Sequence, residues 1–228
     1  MSNVVFFDGV DDYVTPGTNV AVFKMGSGSF SISVRAKSVR RVGADKTALF
    51  GVAVGGGTSR YQLSLYNLNG TFGWSLKDDA GNIIETYPST TATEAIDNRW
   101  HYFSVIFNRT SNNAYLYKDG FLVNTTSIAA IVGTVNPIGI SLISSSAFGA
   151  GMLDGYVSEV QLYNRALSDD EILYNNSHPN NPKRRGLVLN LTQDSIYGPT
   201  WLDLSGNANN GTYVGGAVPV TNNRLAGR

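Results

Sequence analysis

The amino-acid sequence predicts an all-β protein in which two antiparallel sheets pack as a β-sandwich. Two observations lead to this prediction: short runs rich in β-branched and aromatic residues recur through most of the 228 residues, and turn-forming dipeptides separate them. Many short strands at this spacing are typical of sandwiches and jelly rolls, whereas parallel sheets alternate strands with helices. The predicted strands lie at 30–36, 48–54, 61–66, 72–76, 102–107, 115–117, 121–123, 156–163 and 186–191.

The order of side chains within these runs indicates which face each strand buries. Segment 30–34 reads Phe-Ser-Ile-Ser-Val, so its apolar residues share one face and its hydroxyls the other. The dipeptide Asp119-Gly120 tolerates the positive φ angles of a two-residue turn and lies between two β-rich runs. Residues 115–123 are therefore predicted to form a β-hairpin.

One short helix is predicted to interrupt the strands at 168–176. Ser168 can cap its N-terminus, and Glu171, three residues later, can reach back to the backbone of Ser168 in a capping box. The helix is expected to end before Pro179, because the residue that precedes a proline disfavours the helical conformation.

The chain divides into one main body and a C-terminal addition. Residues 1–178 are predicted to form the sandwich, and 179–185, which contain Asn-Asn-Pro-Lys-Arg-Arg, a linker. Residues 186–220 are predicted to be a strand segment that completes the same sandwich or pairs with a neighbouring subunit. Residues 221–228 are expected to form a loose tail.

Composition excludes several classes of function. The 17 basic and 17 acidic residues cancel, so there is no long-range attraction for nucleic acid or an anionic membrane. The apolar runs are shorter than the roughly 20 residues that a membrane-spanning helix needs. The absence of cysteine excludes disulfides and thiolate metal sites. We expect neither nucleic-acid nor membrane partners.

Three segments together resemble a known family. They are 7–14 (Phe-Asp-Gly-Val-Asp-Asp-Tyr-Val), 99–105 (Arg-Trp-His-Tyr-Phe-Ser-Val) with the hairpin ending at 118–120, and 153–168, which begins Leu-Asp-Gly-Tyr. Their order and spacing resemble the laminin-G-like, concanavalin-type jelly-roll family of many bacterial and viral surface proteins. The resemblance implies a concanavalin-like jelly roll that binds or assembles outside cells.

The C-terminal segment resembles the same family out of order. Segments 186–191 and 201–212 look like the family's opening element, which in the family precedes the first motif. Circular permutation explains this order best, because a lone strand cannot bury its apolar face. A truncated second repeat, or pairing with a neighbouring subunit, would also explain it.

The sequence predicts a protein that is not an enzyme. His101 lies in a predicted strand and His178 precedes a proline, and neither accompanies a nucleophile-elbow motif. Glycoside hydrolases of the resembled fold use two acids about 5–9 Å apart. In sandwich glucanases these acids alternate along one strand, whereas the corresponding segment here, 156–162, holds the single acid Glu159.

A calcium site is the one cofactor that the sequence indicates. Asp8-Gly9 and Asp154-Gly155 lie at junctions of strand and loop that the resemblance places side by side. Calcium prefers several carboxylate and carbonyl oxygens, so Asp8, Asp11, Asp12 and Asp154 are the candidate metal ligands. The alternative is that these aspartates hydrogen-bond their own backbone and form turns.

The aromatic residues provide rings for stacking on sugars. Trp74, Tyr66 and Tyr87 lie near predicted turns and are the candidates for exposed rings, whereas Trp100 is expected in the core. The binding surface itself is not indicated by any spacing of these residues.

Two hypotheses about function follow. Met1 runs directly into the apolar run 4–7 without a signal-peptide pattern, so we expect synthesis and folding in a host cytoplasm. Because the resembled family acts outside cells, we expect a virion surface component, a capsid decoration or tail-associated protein of a phage, that contacts capsid proteins and forms a homo-oligomer. The alternative is an extracellular, calcium-dependent carbohydrate-binding module, and the two roles are compatible if the protein binds host-surface glycans.

Overall fold

The computed structural model describes residues 3–17, 20–39, 46–53, 59–139, 141–144 and 151–221. The strands in these ranges are β1 (Asn3–Asp8), β2 (Tyr13–Pro16), β3 (Phe30–Ser38), β4 (Lys46–Ala53), β5 (Ser59–Tyr66), β6 (Thr71–Lys77), β7 (Ile83–Thr86), β8 (Trp100–Asn108), β9 (Asn113–Lys118), β10 (Phe121–Ser127), β11 (Ser141–Leu142), β12 (Asp154–Tyr163), β13 (Leu187–Tyr197), β14 (Thr200–Asp203), β15 (Gly211–Val214) and β16 (Val218–Thr221). The α-helix, α1, spans Asp169–Ser177, and single 3-10 turns occur at Val20–Phe23 and Thr91–Thr93.

Two antiparallel sheets form the molecule, as the sequence predicts. The larger sheet has the order β10-β9-β8-β3-β12-β13-β14-β15-β2, with β1 and β16 attached beside β12. The smaller sheet has the order β11-β4-β5-β6-β7. The prediction of an all-β antiparallel sandwich with one short helix is confirmed. Among the described residues, no helix is long and apolar enough to cross a bilayer.

The C-terminal strands pair with strands from the beginning of the same chain. Strand β3 occupies one side of β12, so β1 and β13 share the other side, opposite 154–157 and 160–163 respectively. Strand β16 then pairs with the free side of β1, and β15 pairs with β2. The predicted tail begins at Thr221, the last residue of β16, and 222–228 lie outside the described residues.

The core lies between the two sheets, because alternate residues of each strand point inward. In β1, Val5 and Phe7 are fully buried in the core, whereas Phe6 and Asp8 lie on the outer face of the large sheet. Trp74 of the small sheet is also fully buried and meets Phe107 edge-on at 5.1 Å. The expectation that Trp74 is an exposed ring is therefore wrong.

Helix α1 covers the middle of the outer face of the large sheet. Ile172 packs in a small apolar cluster with Tyr163 and Leu167. The predicted capping box is present: Glu171 N donates to Ser168 Oγ, and Ser168 N donates to Glu171 Oε2. Partly exposed side chains remain on this face on either side of the helix, and the candidate sites lie there.

Candidate functional site

The loop between β1 and β2 gathers three of the four predicted metal ligands. Asp8, Asp11 and Asp12 each place a carboxylate oxygen within 4.8 Å of the others. Asp8 and Asp11 are exposed, whereas Asp12 is 1% exposed. Three carboxylates at this separation are a donor set that suits a hard divalent cation, so this acidic cluster could bind a metal ion.

Asp12 is the inner member of the cluster and is held by the backbone. Its Oδ2 accepts a hydrogen bond of 2.8 Å from Asp8 N, and its Oδ1 accepts one from Gly216 N. Burial raises the pKa of Asp12, and the nearby charges of Asp8 and Asp11 also raise it, although the two backbone hydrogen bonds lower it. A bound cation would favour the ionised form, because it would offset both the desolvation and the like charges.

The alternative role of these aspartates in turns is also visible. Asp8 Oδ1 accepts a hydrogen bond of 2.8 Å from Val10 N, which is an Asx turn. The C-terminal turn between β15 and β16 closes over the loop, since a Cβ atom on Gly215 would meet the carbonyl oxygen of Asp11 at 2.5 Å. The loop conformation is therefore set by backbone contacts within the chain.

Asp154 lies beside this cluster and is outside it. Its Cα is opposite that of Asp8 in the pairing of β1 with β12, so the two side chains project from the same outer face. Among the described residues, however, the group of oxygens within 4.8 Å comprises Asp8, Asp11 and Asp12 without Asp154. The assignment of Asp154 as a fourth ligand stays a prediction.

A row of aromatic side chains, which we call the aromatic row, crosses the same face next to Asp8 and Asp154. It consists of Phe6 on β1, Tyr156 on β12 and Trp100 on β8. Phe6 is opposite Tyr156, and Tyr156 and Trp100 are both opposite Lys37 on the intervening strand β3. The three rings are half-buried, and Tyr156 lies 5.2 Å from Phe6 and 6.4 Å from Trp100 between ring centroids.

The rings of the aromatic row are inclined to one another. Both ring pairs have an interplanar angle of 48°. Exposed faces of aromatic rings can stack on the apolar faces of sugar rings.

Sequence reasoning missed this row. Trp100 was expected in the core, but its side chain points to the outer face. It is paired with Lys37, and side chains alternate along β8, so Trp100 lies on the opposite face from the inward-facing His101 and Phe103. The alternation of side chains in 100–107 predicts the outward position of Trp100, because the core residues of β8 are the odd-numbered Phe103, Val105 and Phe107.

A second feature of the outer face is a groove between the start of α1 and strands β8 and β9. Its volume is about 580 Å³. The walls include Tyr115, Tyr117, Asp169 and Asp170, and Tyr117 OH donates a hydrogen bond of 2.6 Å to Asp169 Oδ1. This hydrogen bond connects the helix to the sheet.

The ionisable groups considered for catalysis are already engaged in contacts within the chain. His101 Nδ1 lies 2.7 Å from Asp119 Oδ2, and its Nε2 lies 3.1 Å from Asp97 Oδ2. Burial lowers the pKa of His101, but hydrogen bonds to these two carboxylates raise it above its usual value. Glu159 is fully buried and paired with Arg35.

The chain belongs to the concanavalin A-like lectin/glucanases superfamily, because residues 8–173 match the model of its Laminin_G_3 family. This match confirms the resemblance inferred from the three motifs. No curated protein sequence matches the chain.

Solved structures show the same fold at low sequence identity. A candidate carbohydrate-binding protein from Bacteroides ovatus matches with a TM-score of 0.67 and 15% identity over 97% of this chain and 60% of that chain. A native heptameric SAP-like pentraxin from Limulus polyphemus matches with a TM-score of 0.55 and 14% identity over 77% and 82%. The binding domain of Paraclostridial Mosquitocidal Protein 1 matches with a TM-score of 0.51 and 17% identity over 69% and 39%. The chain thus spans less than two thirds of the first and third of these structures.

Proposed function

We propose that this chain is a carbohydrate-binding module that holds a saccharide across the aromatic row without cleaving it. One observation carries the proposal: Phe6, Tyr156 and Trp100 present three partly exposed rings in cross-strand register on the outer face of the large sheet. Membership of a lectin/glucanase superfamily and the fold shared with a candidate carbohydrate-binding protein support it.

The acidic cluster supports the same site as a calcium-binding loop. Asp8 lies on the same face as Phe6, two residues along β1, so a cation held by Asp8, Asp11 and Asp12 would lie at the edge of the aromatic row. A calcium ion bound there would coordinate sugar hydroxyls and would hold the loop in place.

Binding without hydrolysis is part of the proposal. Glu159, the acid in the middle of β12, makes an ion pair with Arg35 beneath the C-terminal end of α1 and is fully buried. A carboxyl group in that position has no access to a glycosidic bond. We expect an assay for released reducing ends to give no signal with any saccharide that binds.

The direct test is a glycan array followed by titration of the best ligand. Trp100→Ala and Tyr156→Ala are expected to weaken binding by about fivefold each, because a stacked ring contributes on the order of 1 kcal/mol. Tyr197→Ala is the matched control, since Tyr197 is a 63% exposed tyrosine at the end of β13 and is not part of the aromatic row. Unchanged affinity in the Trp100 and Tyr156 variants would place the binding surface elsewhere.

Calcium dependence is tested separately from sugar binding. Calcium is expected to raise the melting temperature of the wild-type protein, because a ligand that binds the folded state alone stabilises it, and EDTA should reverse the change. The double variant Asp8→Asn/Asp11→Asn should lose this response, whereas Asp194→Asn, at another exposed aspartate, should keep it. A melting temperature that calcium leaves unchanged would contradict the metal site.

The virion role stays a prediction, because the family and the similar structures favour the carbohydrate-binding alternative. Co-sedimentation of the native protein with virus-sized particles at a fixed ratio to a capsid protein would support it.

A further inference from the structure

A lysine lies within the aromatic row. Lys37 is opposite Tyr156 on one neighbouring strand and opposite Trp100 on the other, so its aliphatic stem lies between the two rings. Its Nζ is 5.9 Å from the centroid of Tyr156 and the side chain is half-exposed. This distance is near the outer limit of a cation–π contact, so the ring stabilises the ammonium group only weakly.

The ammonium group of Lys37 has no carboxylate within 4.0 Å in the part of the chain that the structure describes. Other cations on this face are engaged more closely. Arg35, two residues earlier on β3, binds Glu159 and the carbonyl oxygen of Asn176. Lys183 lies 3.7 Å from the centroid of Tyr174. Lys37 is thus a positive charge, partly enclosed by rings, that is available to a ligand.

We propose that the aromatic row selects saccharides that carry a carboxylate, and that Lys37 is the residue that recognises this charge. The inference rests on the proposed carbohydrate-binding function and adds the class of ligand. A saccharide stacked on Tyr156 and Trp100 would bring an equatorial substituent to the ammonium group between them. A carboxylate in that position gains a charge-assisted hydrogen bond, whereas the corresponding hydroxymethyl group gains a weaker neutral one.

The charges around the row also orient the ligand. Asp8 lies two residues along β1 from Phe6, and its carboxylate repels an anion from that side. Lys37 lies on the side of Tyr156 that faces Trp100. The carboxylate of the ligand is therefore expected over β3, between Tyr156 and Trp100.

The experiment compares acidic tetrasaccharides with their carboxyl-reduced forms, so that each pair differs only in charge. The probes are the tetramers of galacturonate, glucuronate and mannuronate, titrated calorimetrically at low salt against the wild-type protein. We expect at least one acidic form to bind roughly three- to fivefold more tightly than its reduced form, as for a partly exposed ion pair. This preference should shrink at high salt, because the ions screen the charges.

Substitution of Lys37 tests whether this residue causes the preference for the acidic forms. Lys37→Gln keeps most of the stem and should bind the acidic and reduced forms equally. Lys183→Gln, which removes a lysine that contacts a different tyrosine, should keep the wild-type preference. Melting curves of both variants check that the fold is intact.

The outcomes separate the two proposals. Equal or tighter binding of the reduced forms by the wild type would overturn the inference about Lys37 and leave carbohydrate binding in place. If none of the six tetrasaccharides binds, the inference about Lys37 is also overturned. If no saccharide on the glycan array binds either, the proposed function is overturned as well. A charge preference that survives in Lys37→Gln would show that another cation is responsible. Preferential binding of a sulfated glycan over all of the acidic tetramers would identify the anion as sulfate and contradict the choice of carboxylate.

Discussion

The buried ion pair beneath α1 makes the stability of this protein depend on pH through Glu159. Burial raises the pKa of Glu159 to about 7, although the attraction and hydrogen bond of Arg35 lower it. In the unfolded chain the group titrates near 4.5. The native state therefore binds the proton more tightly, and the stability that this proton contributes is complete below pH 4.5 and is lost as the pH rises through 7.

The size of the effect follows from the separation of the two pKa values. Each unit corresponds to 1.36 kcal/mol, so the free energy of unfolding should fall by about 3 kcal/mol between pH 4.5 and pH 8 on account of this group. For a chain of this length, that is a decrease in melting temperature of roughly 6–12 °C. Other groups titrate in the same range, His101 among them, so the contribution has to be isolated by difference.

Glu159→Gln isolates it, because glutamine resembles the protonated acid at every pH. Urea denaturation from pH 4.5 to pH 8 should show the variant becoming more stable relative to the wild type, by about 3 kcal/mol over the whole range. Glu171→Gln is the matched control. The hydrogen bond from Arg165 lowers the pKa of Glu171, so its contribution is present at neutral pH and is lost on acidification. Parallel curves for Glu159→Gln and the wild type would refute the argument from burial.

Three further predictions concern contacts near the acidic cluster and the aromatic row. Asp12→Ala removes the acceptor for the backbone N–H of Gly216 and should lower the free energy of unfolding by about 2–4 kcal/mol in urea titrations; a change below the experimental error would show that the C-terminal turn is held elsewhere. Asp119→Asn should lower the pKa of the His101 ring in an NMR titration, because the hydrogen bond to Asp119 raises it. The variant should also lose part of the stability that protonated His101 contributes, which is present at low pH and is lost as the pH rises through the raised pKa. Gly155→Ala places a Cβ atom 2.0 Å from a backbone oxygen of β3 and should cost about 3 kcal/mol or more in denaturation; wild-type stability would contradict the close strand approach.

Local signals in the sequence predicted the elements that depend on a few neighbouring residues. Asp119 and Gly120 adopt φ angles of 54° and 89°, as the predicted two-residue hairpin turn requires. The capping box of Ser168 and Glu171 starts α1 where it was predicted. In both cases the residues that decide the structure are within four positions of one another, so tertiary contacts are not needed to make the assignment.

The two tryptophans show where this local reasoning ends. Trp74 lies in the middle of β6 and Trp100 begins β8, and their positions in the sequence do not state which face of the sandwich each will occupy. Register decides it: Trp74 is paired with Leu63 across β5 and faces the core, whereas Trp100 is paired with Lys37 and faces outward. A shift of one residue would reverse either outcome, because side chains alternate between faces.

The sequence by itself determined the fold class, the family, the hairpin and helix, and the aspartates that form the acidic cluster, because each depends on a short pattern or on a motif within one loop. Only the tertiary structure decided the position of the C-terminal strands beside β1 and β2 and the aromatic row. Phe6, Lys37, Trp100 and Tyr156 belong to four strands far apart in the chain. They become neighbours through strand order and register, which are properties of long-range pairing and have no counterpart in the local sequence.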